Sequence, residues 1–481
     1  MSALPPKLRQ RPYIFKTEMR DPMRHILFSL VLGGSMISCN TEPQANSNFR
    51  IATFSGADLT YPENPLKIED STRTRFIENF FLPWSLEAEK VLASLELFPG
   101  KDLTFLQNYL EDNQWYGENK KPHKRFIREE IVSNISTADF PNFQKKGIVV
   151  SHTNLRRIPS NKPGFDTYSK AGEGYPFDYF QETNLWANTP LQLLHLSKDK
   201  QWCYVLSPYY KGWVPMHDLA LVSDEFMAQW RSKRYGVPVS DQITLSDPTS
   251  NYAVTGKMGM VLPIEETADP KIISAFYANA DENQLAHLLR AEIDSDQIAT
   301  DAYKFDAEHL KQLISQLEGR PYGWGGYLEN RDCSSMIRDL MATFKFWLPR
   351  DSGDQLKVGN VVELTGSLED KLEVITSQGI PFRTILRKKG HNMLYVGKSA
   401  DGEPLIFHAA WGLRTTYTNP QLSEFLKDYP IEGLTQQPNG TITGRNIMGE
   451  AMITSVLAGS GNQGITYPML EDIYAMTILL E

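Results

Sequence analysis

The sequence predicts an α+β protein in which small β-barrels separate a helical N-terminal region from a C-terminal domain of helices on an antiparallel sheet. Three observations lead to this prediction. Apolar residues recur at helical spacing between residues 53 and 142, short strands separated by turn residues begin at Gly147, and helical signals followed by strands return from Asp306. At 481 residues the chain has room for about three or four domains.

The composition narrows the classes of function. The chain has 41% hydrophobic and 22% charged residues, as soluble globular proteins do, and its net charge is −9. An acidic chain lacks the basic surface that nucleic-acid binding requires, so we expect no nucleic-acid partner. Cys39, Cys203 and Cys333 show neither C-x-x-C spacing nor an even framework, and the histidines form no metal-spaced set. The sequence therefore predicts no disulfide scaffold, no metal and no cofactor.

The first 39 residues predict an export signal. An apolar segment from Ile26 to Ile37 follows a basic stretch and is too short to span a bilayer. It ends at Ser38-Cys39, which resembles a bacterial lipoprotein cleavage box. We expect an exported protein of the periplasm or cell envelope, with a lipid at Cys39 as its membrane contact. A plain cleaved signal and a buried helix are the alternatives.

Changes of pattern along the chain predict its domains. Ser85 to Leu97 reads as an amphipathic helix of the N-terminal region, and an aromatic-rich loop from Pro163 to Phe180 interrupts the first barrel. Cys203 lies in an alternating strand and is expected in the barrel core. The predicted domains are the export signal 1–39, a helical domain 40–146, a first barrel 147–223, a second barrel 224–300 and a C-terminal domain 301–481.

Cys333 is the candidate nucleophile of the C-terminal domain. It follows a glycine-rich run over 323–326 and precedes apolar residues on one helical face, which are Met336, Ile337, Leu340, Met341 and Phe344. Asp332 is a good N-cap, which puts Cys333 in the first turn of that helix. There the positive end of the helix dipole is expected to favour thiolate over thiol.

Two histidines complete the arrangement. His391 begins one apolar strand and His408 ends the next, so a hairpin about Ala400 to Gly402 would bring both to one end of the sheet. His391 could then take the thiol proton while His408 holds its other ring nitrogen. A lone cysteine is usually a core residue and a lone strand-end histidine usually satisfies a carbonyl. Together, in this order, the three residues predict a catalytic site.

Several motifs of the C-terminal domain, over about 305–481, resemble the NlpC family of papain-like cell-wall cysteine endopeptidases. They are P-Y-G-W-G-G, D-C-S-S, L-P-R-D-S-G-D-Q, G-H-N-M-L-Y-V-G and F-H-A-A-W-G. Residues 148–222 and 237–264 resemble the two bacterial SH3-like domains of its multidomain members. The resemblance implies a papain-like peptidase domain behind two SH3-like barrels. Ser335 departs from the usual D-C-S-G, and the usual P-G-D before the histidine strand is absent.

The resemblance also implies roles for individual residues. The triad is Cys333, His391 and His408, and Tyr322 sits beside the cysteine and assists it. The pocket for the amino end of the peptide is lined by Asp332, Ser334 and Ser352. Tyr209 or Tyr210 of the first SH3-like domain is expected to contact substrate.

The implied activity is cleavage of the bond between γ-D-glutamate and a diamino acid in peptidoglycan stem peptides, which are the expected partners, as in murein peptide recycling. The carboxylate of Asp332, beside the cleft, predicts a preference for a free N-terminal L-alanine. A catalytically inactive peptidoglycan-binding scaffold, and an amidase or acyltransferase on the same core, are the alternatives. The sequence leaves the oligomeric state open.

Overall fold

The N-terminal region combines helices with one short strand. A computed structural model describes residues 51–62, 68–86, 101–111, 115–168, 172–417, 431–436, 438, 440–460 and 468–479, with the backbone alone for 101–103, 417 and 431–436. The predicted export signal, Cys39 and most of the predicted helix from Ser85 lie outside these residues. The first elements are β1 (Thr53–Phe54), α1 (Asp70–Phe80), α2 (Leu82–Ser85), α3 (Lys101–Glu111) and α4 (Arg125–Ile135). Within the described ranges no helix is long and apolar enough to cross a membrane.

The first barrel is a seven-stranded antiparallel sheet in the order β4-β3-β7-β6-β5-β2-β8. Its strands are β2 (Lys145–Val149), β3 (Thr153–Arg156), β4 (Gln181–Leu185), β5 (Pro190–Leu196), β6 (Trp202–Leu206), β7 (Lys211–Pro215) and β8 (Leu219–Leu221). Alternating residues of these short strands point inward and form one apolar core. Cys203 lies in that core without exposed surface, as predicted, and burial raises the pKa of its thiol to about 12.

The second barrel follows one helix. Its elements are α5 (Asp224–Arg231), β9 (Arg234–Pro238), β10 (Ile243–Ser246), β11 (Ala253–Gly256), β12 (Leu262–Glu266), β13 (Ile272–Ala280), β14 (Ala286–Asp294) and β15 (Ile298–Ala299). Five strands pair in the order β14-β13-β12-β9-β15, and β10 and β11 form a separate hairpin. Gly259 has a φ of +91°, and a Cβ there would lie 2.5 Å from the Asp339 carboxylate, so the approach to the C-terminal domain requires glycine.

The C-terminal domain packs helices on a sheet that has eight strands in the described part of the chain. Its elements are α6 (Ala307–Leu317), α7 (Cys333–Thr343), α8 (Ser352–Gln355), β16 (Asn360–Glu363), α9 (Leu368–Gln378), β17 (Thr384–Lys388), β18 (His391–Lys398), β19 (Pro404–Tyr417), β20 (Ile431–Gln436), β21 (Ile442–Ser455), α10 (Met469–Asp472) and β22 (Ile473–Ile478). The order is β1-β21-β19-β18-β17-β22-β16, with β20 on β21, and every pairing is antiparallel. The predicted α+β architecture is confirmed. The N-terminal β1 joins this sheet, which was not predicted.

Local signals in the sequence account for the helices that carry the site. Asp306 accepts a hydrogen bond from the backbone N–H of His309 at 3.1 Å and caps α6, as predicted. Buried apolar side chains of α6 and α7 pack on the sheet in one core, which includes Leu313, Ile337, Leu340 and Phe407. This packing holds the start of α7 against β18 and β19.

Arg331 joins the C-terminal domain to both barrels. Its guanidinium makes two hydrogen bonds to Asp241 of the second barrel, at 2.5 and 2.8 Å, and donates to Asp339 of α7 at 2.8 Å. The indole N–H of Trp186 in the first barrel donates to the same Asp339 carboxylate at 3.1 Å. Arg331 and Asp339 are both buried. The described residues accordingly belong to one compact unit.

Candidate active site

Cys333 is the first residue of α7, where the sequence predicted it. The Asp332 carboxylate accepts from the backbone N–H of Ser335 at 2.9 Å, and the Ser335 hydroxyl accepts from the backbone N–H of Asp332 at 2.9 Å. This reciprocal cap fixes the first turn of the helix. Ser335, the departure from the usual D-C-S-G, is therefore the second half of the cap. Cys333 is 8% exposed.

The glycine-rich run before the cysteine forms a tight turn seated on the first barrel. Gly325 and Gly326 have φ values of 60° and 85°, a region that favours glycine. A Cβ on Gly326 would lie 2.2 Å from the side-chain oxygen of Asn184 in β4. The Gln181 side chain donates to the carbonyl of Gly325 at 3.0 Å. The glycines therefore allow the turn to contact the barrel closely.

The two predicted histidines meet at one end of the sheet. Strands β18 and β19 pair as an antiparallel hairpin, as predicted, with Leu394 opposite Phe407. Nε2 of His391 lies 2.8 Å from Nδ1 of His408, and Nε2 of His408 lies 3.1 Å from the hydroxyl of Thr454 on β21. Both His408 and Thr454 have no exposed surface.

The contacts among His391, His408 and Thr454 fit a row of hydrogen bonds in which each group donates to the next. The Thr454 hydroxyl donates to the carbonyl of Ser455 at 3.3 Å, so it can accept from Nε2–H of His408. Nδ1 of His408 then accepts from Nε2–H of His391, which leaves Nδ1 of His391 unprotonated. Thr454 was not found from the sequence, because a threonine in a strand carries no local signal.

Burial keeps the cysteine and histidines neutral at rest. It raises the pKa of the Cys333 thiol to about 11, and the Asp332 carboxylate adds to the rise, while the N–H of Asn392 and two arginines oppose it. Burial also lowers the pKa of His391 well below its usual value and that of His408 to about 3. Loss of water around the sulfur therefore opposes the thiolate that the helix start was expected to favour.

Asp332 already has a cation partner inside the protein. Arg350 donates to its carboxylate at 2.5 Å and to the Ser334 hydroxyl at 2.8 Å. The third Arg350 contact is to the hydroxyl of Thr183 in the first barrel, at 2.7 Å. The argument that Asp332 needs a cation from the substrate therefore fails. Arg350 was missed, although it stands in the L-P-R-D-S motif that was recognised.

Ser352 and Tyr322 are the other two residues of the domain expected at the site. The Ser352 carbonyl accepts from the side chain of Asn392, the residue after His391, at 3.0 Å. Tyr322 is half-buried, and its pKa is raised well above the usual value by burial and then by the charges of Asp332 and Cys333. Its phenol is therefore neutral and can donate a hydrogen bond beside the thiol.

A loop of the first barrel reaches the site through aromatic residues. The Phe177 ring lies 5.2 Å from the Trp324 ring and 6.3 Å from the Trp411 ring, and Trp411 lies 6.0 Å from Tyr322. The Tyr179 hydroxyl donates to Glu173 at 2.6 Å within the same loop. These contacts were not predicted, although the aromatic richness of the Pro163 to Phe180 loop was visible in the sequence.

Tyr209 lies elsewhere. Its ring stacks on Trp347 at 5.1 Å, and the Arg338 guanidinium lies 4.3 Å above it. Tyr209 is half-buried and these contacts hold its ring against Arg338 of α7, so its expected contact with substrate stays a prediction. Tyr210 is 38% exposed in the turn between β6 and β7, where its carbonyl accepts from Ser207. In the part of the chain that the structure describes, no three His, Cys, Asp or Glu side chains are grouped so as to hold a metal ion.

Three family models match the chain. They are an SH3 domain of SH3b1 type over residues 163–215, an SH3 domain of SH3b2 type over 223–267 and the NlpC/P60 family over 319–410. A search of curated proteins finds no match.

A search of solved structures finds one with the same fold over most of this chain. A novel NlpC/P60 endopeptidase from Photobacterium damselae subsp. piscicida matches with a TM-score of 0.72 and 23% identity, over 89% of this chain and 97% of that one. An NlpC/P60 family protein from Bacillus cereus ATCC 10987 matches with a TM-score of 0.44 and 14% identity, over 70% of this chain and 100% of that one. The chain thus carries a domain of the NlpC/P60 family, a family of cysteine peptidases, and SH3 domains of the SH3b1 and SH3b2 types ahead of it.

Proposed function

We propose that this cell-wall peptidase cleaves the bond between γ-D-glutamate and the diamino acid of peptidoglycan stem peptides. The observation that carries the proposal is the directional row from His391 through His408 to Thr454, beside a cysteine at a helix start. The row leaves Nδ1 of His391 as a base for the thiol. An inactive scaffold would need none of these contacts.

The proposed reaction begins from the neutral pair. As the sulfur of Cys333 attacks the γ-carbonyl carbon of D-glutamate, the thiol proton passes to Nδ1 of His391. The oxyanion takes hydrogen bonds from backbone N–H groups at the start of α7 and from the Tyr322 hydroxyl. The amine of the diamino acid leaves with the proton from His391, and a thioester remains. Water then attacks the thioester with His391 as base, which restores the thiol and releases the γ-carboxylate.

His408 and Thr454 keep the His391 ring oriented while it receives and returns the thiol proton. When Nδ1 is protonated, Nε2–H of His391 still donates to His408, so the ring keeps its orientation throughout the cycle. The low pKa of His408 keeps that acceptor neutral. A neutral partner stabilises the imidazolium less than a carboxylate would, which favours return of the proton to the leaving amine.

We further propose that stem peptides with a free N-terminal L-alanine are preferred over peptides still attached to muramic acid. The proposal is supported by the first barrel, whose loop brings Phe177 against Trp324 and Trp411 beside Tyr322. A loop at that end of the cleft leaves little room for a glycan strand. Arg350 already pairs with the Asp332 carboxylate, so the proposed preference for a free amine depends on the shape of the cleft. A bound amine would share that carboxylate with Arg350.

Export with a lipid at Cys39 remains a proposal from the sequence. A peptidoglycan substrate lies outside the cytoplasm, and the segment before Cys39 has the pattern of an export signal. Mass spectrometry of the N-terminus of the protein purified from its host is the test. Cys39→Ser should release the protein from membranes without changing its activity on soluble muropeptides, and an uncleaved, unmodified chain would refute both export and lipidation.

Digestion of purified muropeptides, with the products weighed, tests the activity itself. The proposed peptidase splits the stem between its second and third residues. An amidase would release the whole stem peptide from muramic acid, and an inactive scaffold would leave all masses unchanged. Either result would refute the proposed function.

A further inference from the structure

Arg387 is a buried cation next to the reaction centre. It lies on β17 directly opposite Asn392 of β18, and its side chain is 9% exposed. Among the described residues, no carboxylate lies within ion-pair distance of its guanidinium. Lys388, the next residue, pairs with Asp472 at 3.3 Å, and Arg350 pairs with Asp332. Arg387 is therefore a cation near the thiol that forms no ion pair within the described part of the chain.

Neutral groups hold two of the three guanidinium nitrogens. Nη1 donates to the side-chain oxygen of Asn392 at 2.9 Å, and Nε lies 3.3 Å from the hydroxyl of Tyr474. Asn392 is itself fixed, because its amide nitrogen donates to the side chain of Gln355 at 2.9 Å and to the carbonyl of Ser352. The orientation of Arg387 is thus set before any ligand arrives.

The third nitrogen, Nη2, has no hydrogen-bond partner among the described residues. A Cβ on Gly353 would lie 3.8 Å from it and 3.1 Å from Oδ1 of Asp351, which accepts from the Gly353 N–H, so this nitrogen faces a position where α8 carries no side chain. The first residue of α8 is Ser352, expected from the resemblance to line the substrate pocket. The backbone N–H of Asn392, the neighbour of Arg387, and the charge of Arg387 itself both oppose the rise in the pKa of the Cys333 thiol. The guanidinium that carries Nη2 is therefore close enough to the nucleophile to act on its charge.

We propose that Arg387 forms a carboxylate-binding subsite beside Cys333, which receives a carboxylate of the stem peptide. The inference rests on the proposed function, since γ-D-glutamate keeps its α-carboxylate and diaminopimelate carries carboxylates on the other side of the scissile bond. A buried guanidinium without a counter-ion is costly, and a bound carboxylate removes that cost. The planar guanidinium also matches carboxylate geometry better than an ammonium group does.

The test uses model stem peptides with matched changes of charge. One pair carries the second residue as D-glutamate or as its α-amide, and another carries the third residue as diaminopimelate or lysine. We expect wild type to prefer the acid at one position by roughly ten- to hundredfold in kcat/KM. Arg387→Met should abolish that ratio. Lys388→Met is the matched control, since it removes a paired charge from the same strand, and it should leave the ratio unchanged.

Binding to the Cys333→Ala protein gives a readout independent of turnover. Calorimetry should show the same acid-over-amide preference in affinity, lost on adding Arg387→Met. The position at which the ratio falls identifies the carboxylate as that of glutamate or of the diamino acid. Equal values for acid and neutral peptides at both positions in wild type would overturn the subsite while leaving the peptidase standing. If wild type cleaves no peptide, the proposed function fails instead.

Discussion

Nε2 of His391 lies 2.8 Å from Nδ1 of His408, and this contact assigns a protonation state to both rings. With the Thr454 hydroxyl donating to the carbonyl of Ser455, Nε2–H of His408 donates to Thr454 and Nδ1 of His408 is left bare. The base function of His391 is therefore fixed by a residue on a third strand, 46 positions beyond His408 in the chain. Substitutions and changes of pH can test this arrangement of hydrogen bonds.

Cys333→Ala should abolish hydrolysis and leave the fold intact. The covalent step has no substitute nucleophile, so the loss should reach several orders of magnitude. Cys203→Ala is the matched control: it changes a thiol in the barrel core, and turnover should persist with some loss of stability. Turnover by the Cys333 variant on muropeptides, measured by mass spectrometry, would contradict the proposed nucleophile.

Substitutions of His391, His408 and Thr454 should lower kcat to different extents. His391→Ala should lower kcat by roughly 10²–10⁴-fold, as loss of a general base does, and the double variant with Cys333→Ala should be little worse than either alone. His408→Ala should be milder. Thr454→Val should lower kcat by about tenfold because the hydrogen-bond direction is lost, and Thr454→Ser should restore it. Equal rates for Thr454→Val and wild type would remove Thr454 from the row.

The thiol should react slowly with alkylating agents at neutral pH. Its pKa is raised to about 11, so the thiolate fraction, and with it the iodoacetamide rate, should keep rising with pH up to that value. The low pKa of His391 means that its imidazole stays neutral well below pH 6.5, so kcat/KM should hold through mildly acidic pH. Fast alkylation that is independent of pH near 7 would indicate a preformed thiolate–imidazolium pair.

The preference for a free amine should survive Asp332→Asn. Asparagine keeps the helix cap, and the loop that carries Phe177 is unchanged, so both peptides should be cleaved more slowly but in the same ratio. Stability should also fall, because Arg350 loses its ion-pair partner. A competition assay with free and N-acetylated stem peptides measures the ratio. If the ratio falls to one in the variant, Asp332 recognises the amine. Equal wild-type rates on the two peptides would contradict the closed cleft.

Arg331→Met should weaken the whole fold. The change leaves the half-buried carboxylate of Asp241 and the buried carboxylate of Asp339 without this cation, and breaking a buried pair typically costs about 3–5 kcal/mol. Denaturant unfolding followed by fluorescence measures the loss. Arg290→Met removes an exposed pair with Glu292 and should cost about 1 kcal/mol or less. Similar costs for the two variants would mean that Arg331 does not join the domains energetically.

Local patterns predicted the parts of the site that depend on local structure. The cap at Asp332, the first turn with Cys333 and the hairpin of His391 and His408 all follow from residues close together in the chain, and the structure has them. Arg350, Thr454 and Arg387 reach the site through contacts with distant strands, which no spacing rule encodes. The raised pKa of the thiol was not predicted, because burial is a property of the folded chain.

The turn at Gly325 and Gly326, seated on Gln181 and Asn184, bears on how such proteins diversify. Domains joined by linkers can be exchanged between genes. In this protein, however, the segment before the nucleophile fits closely against β4 of the first barrel. A replacement barrel with a larger residue than asparagine at position 184 would press on the backbone that leads into Cys333. Barrel and peptidase are therefore expected to be inherited as a pair, with substitutions at this contact compensating each other across the domain boundary.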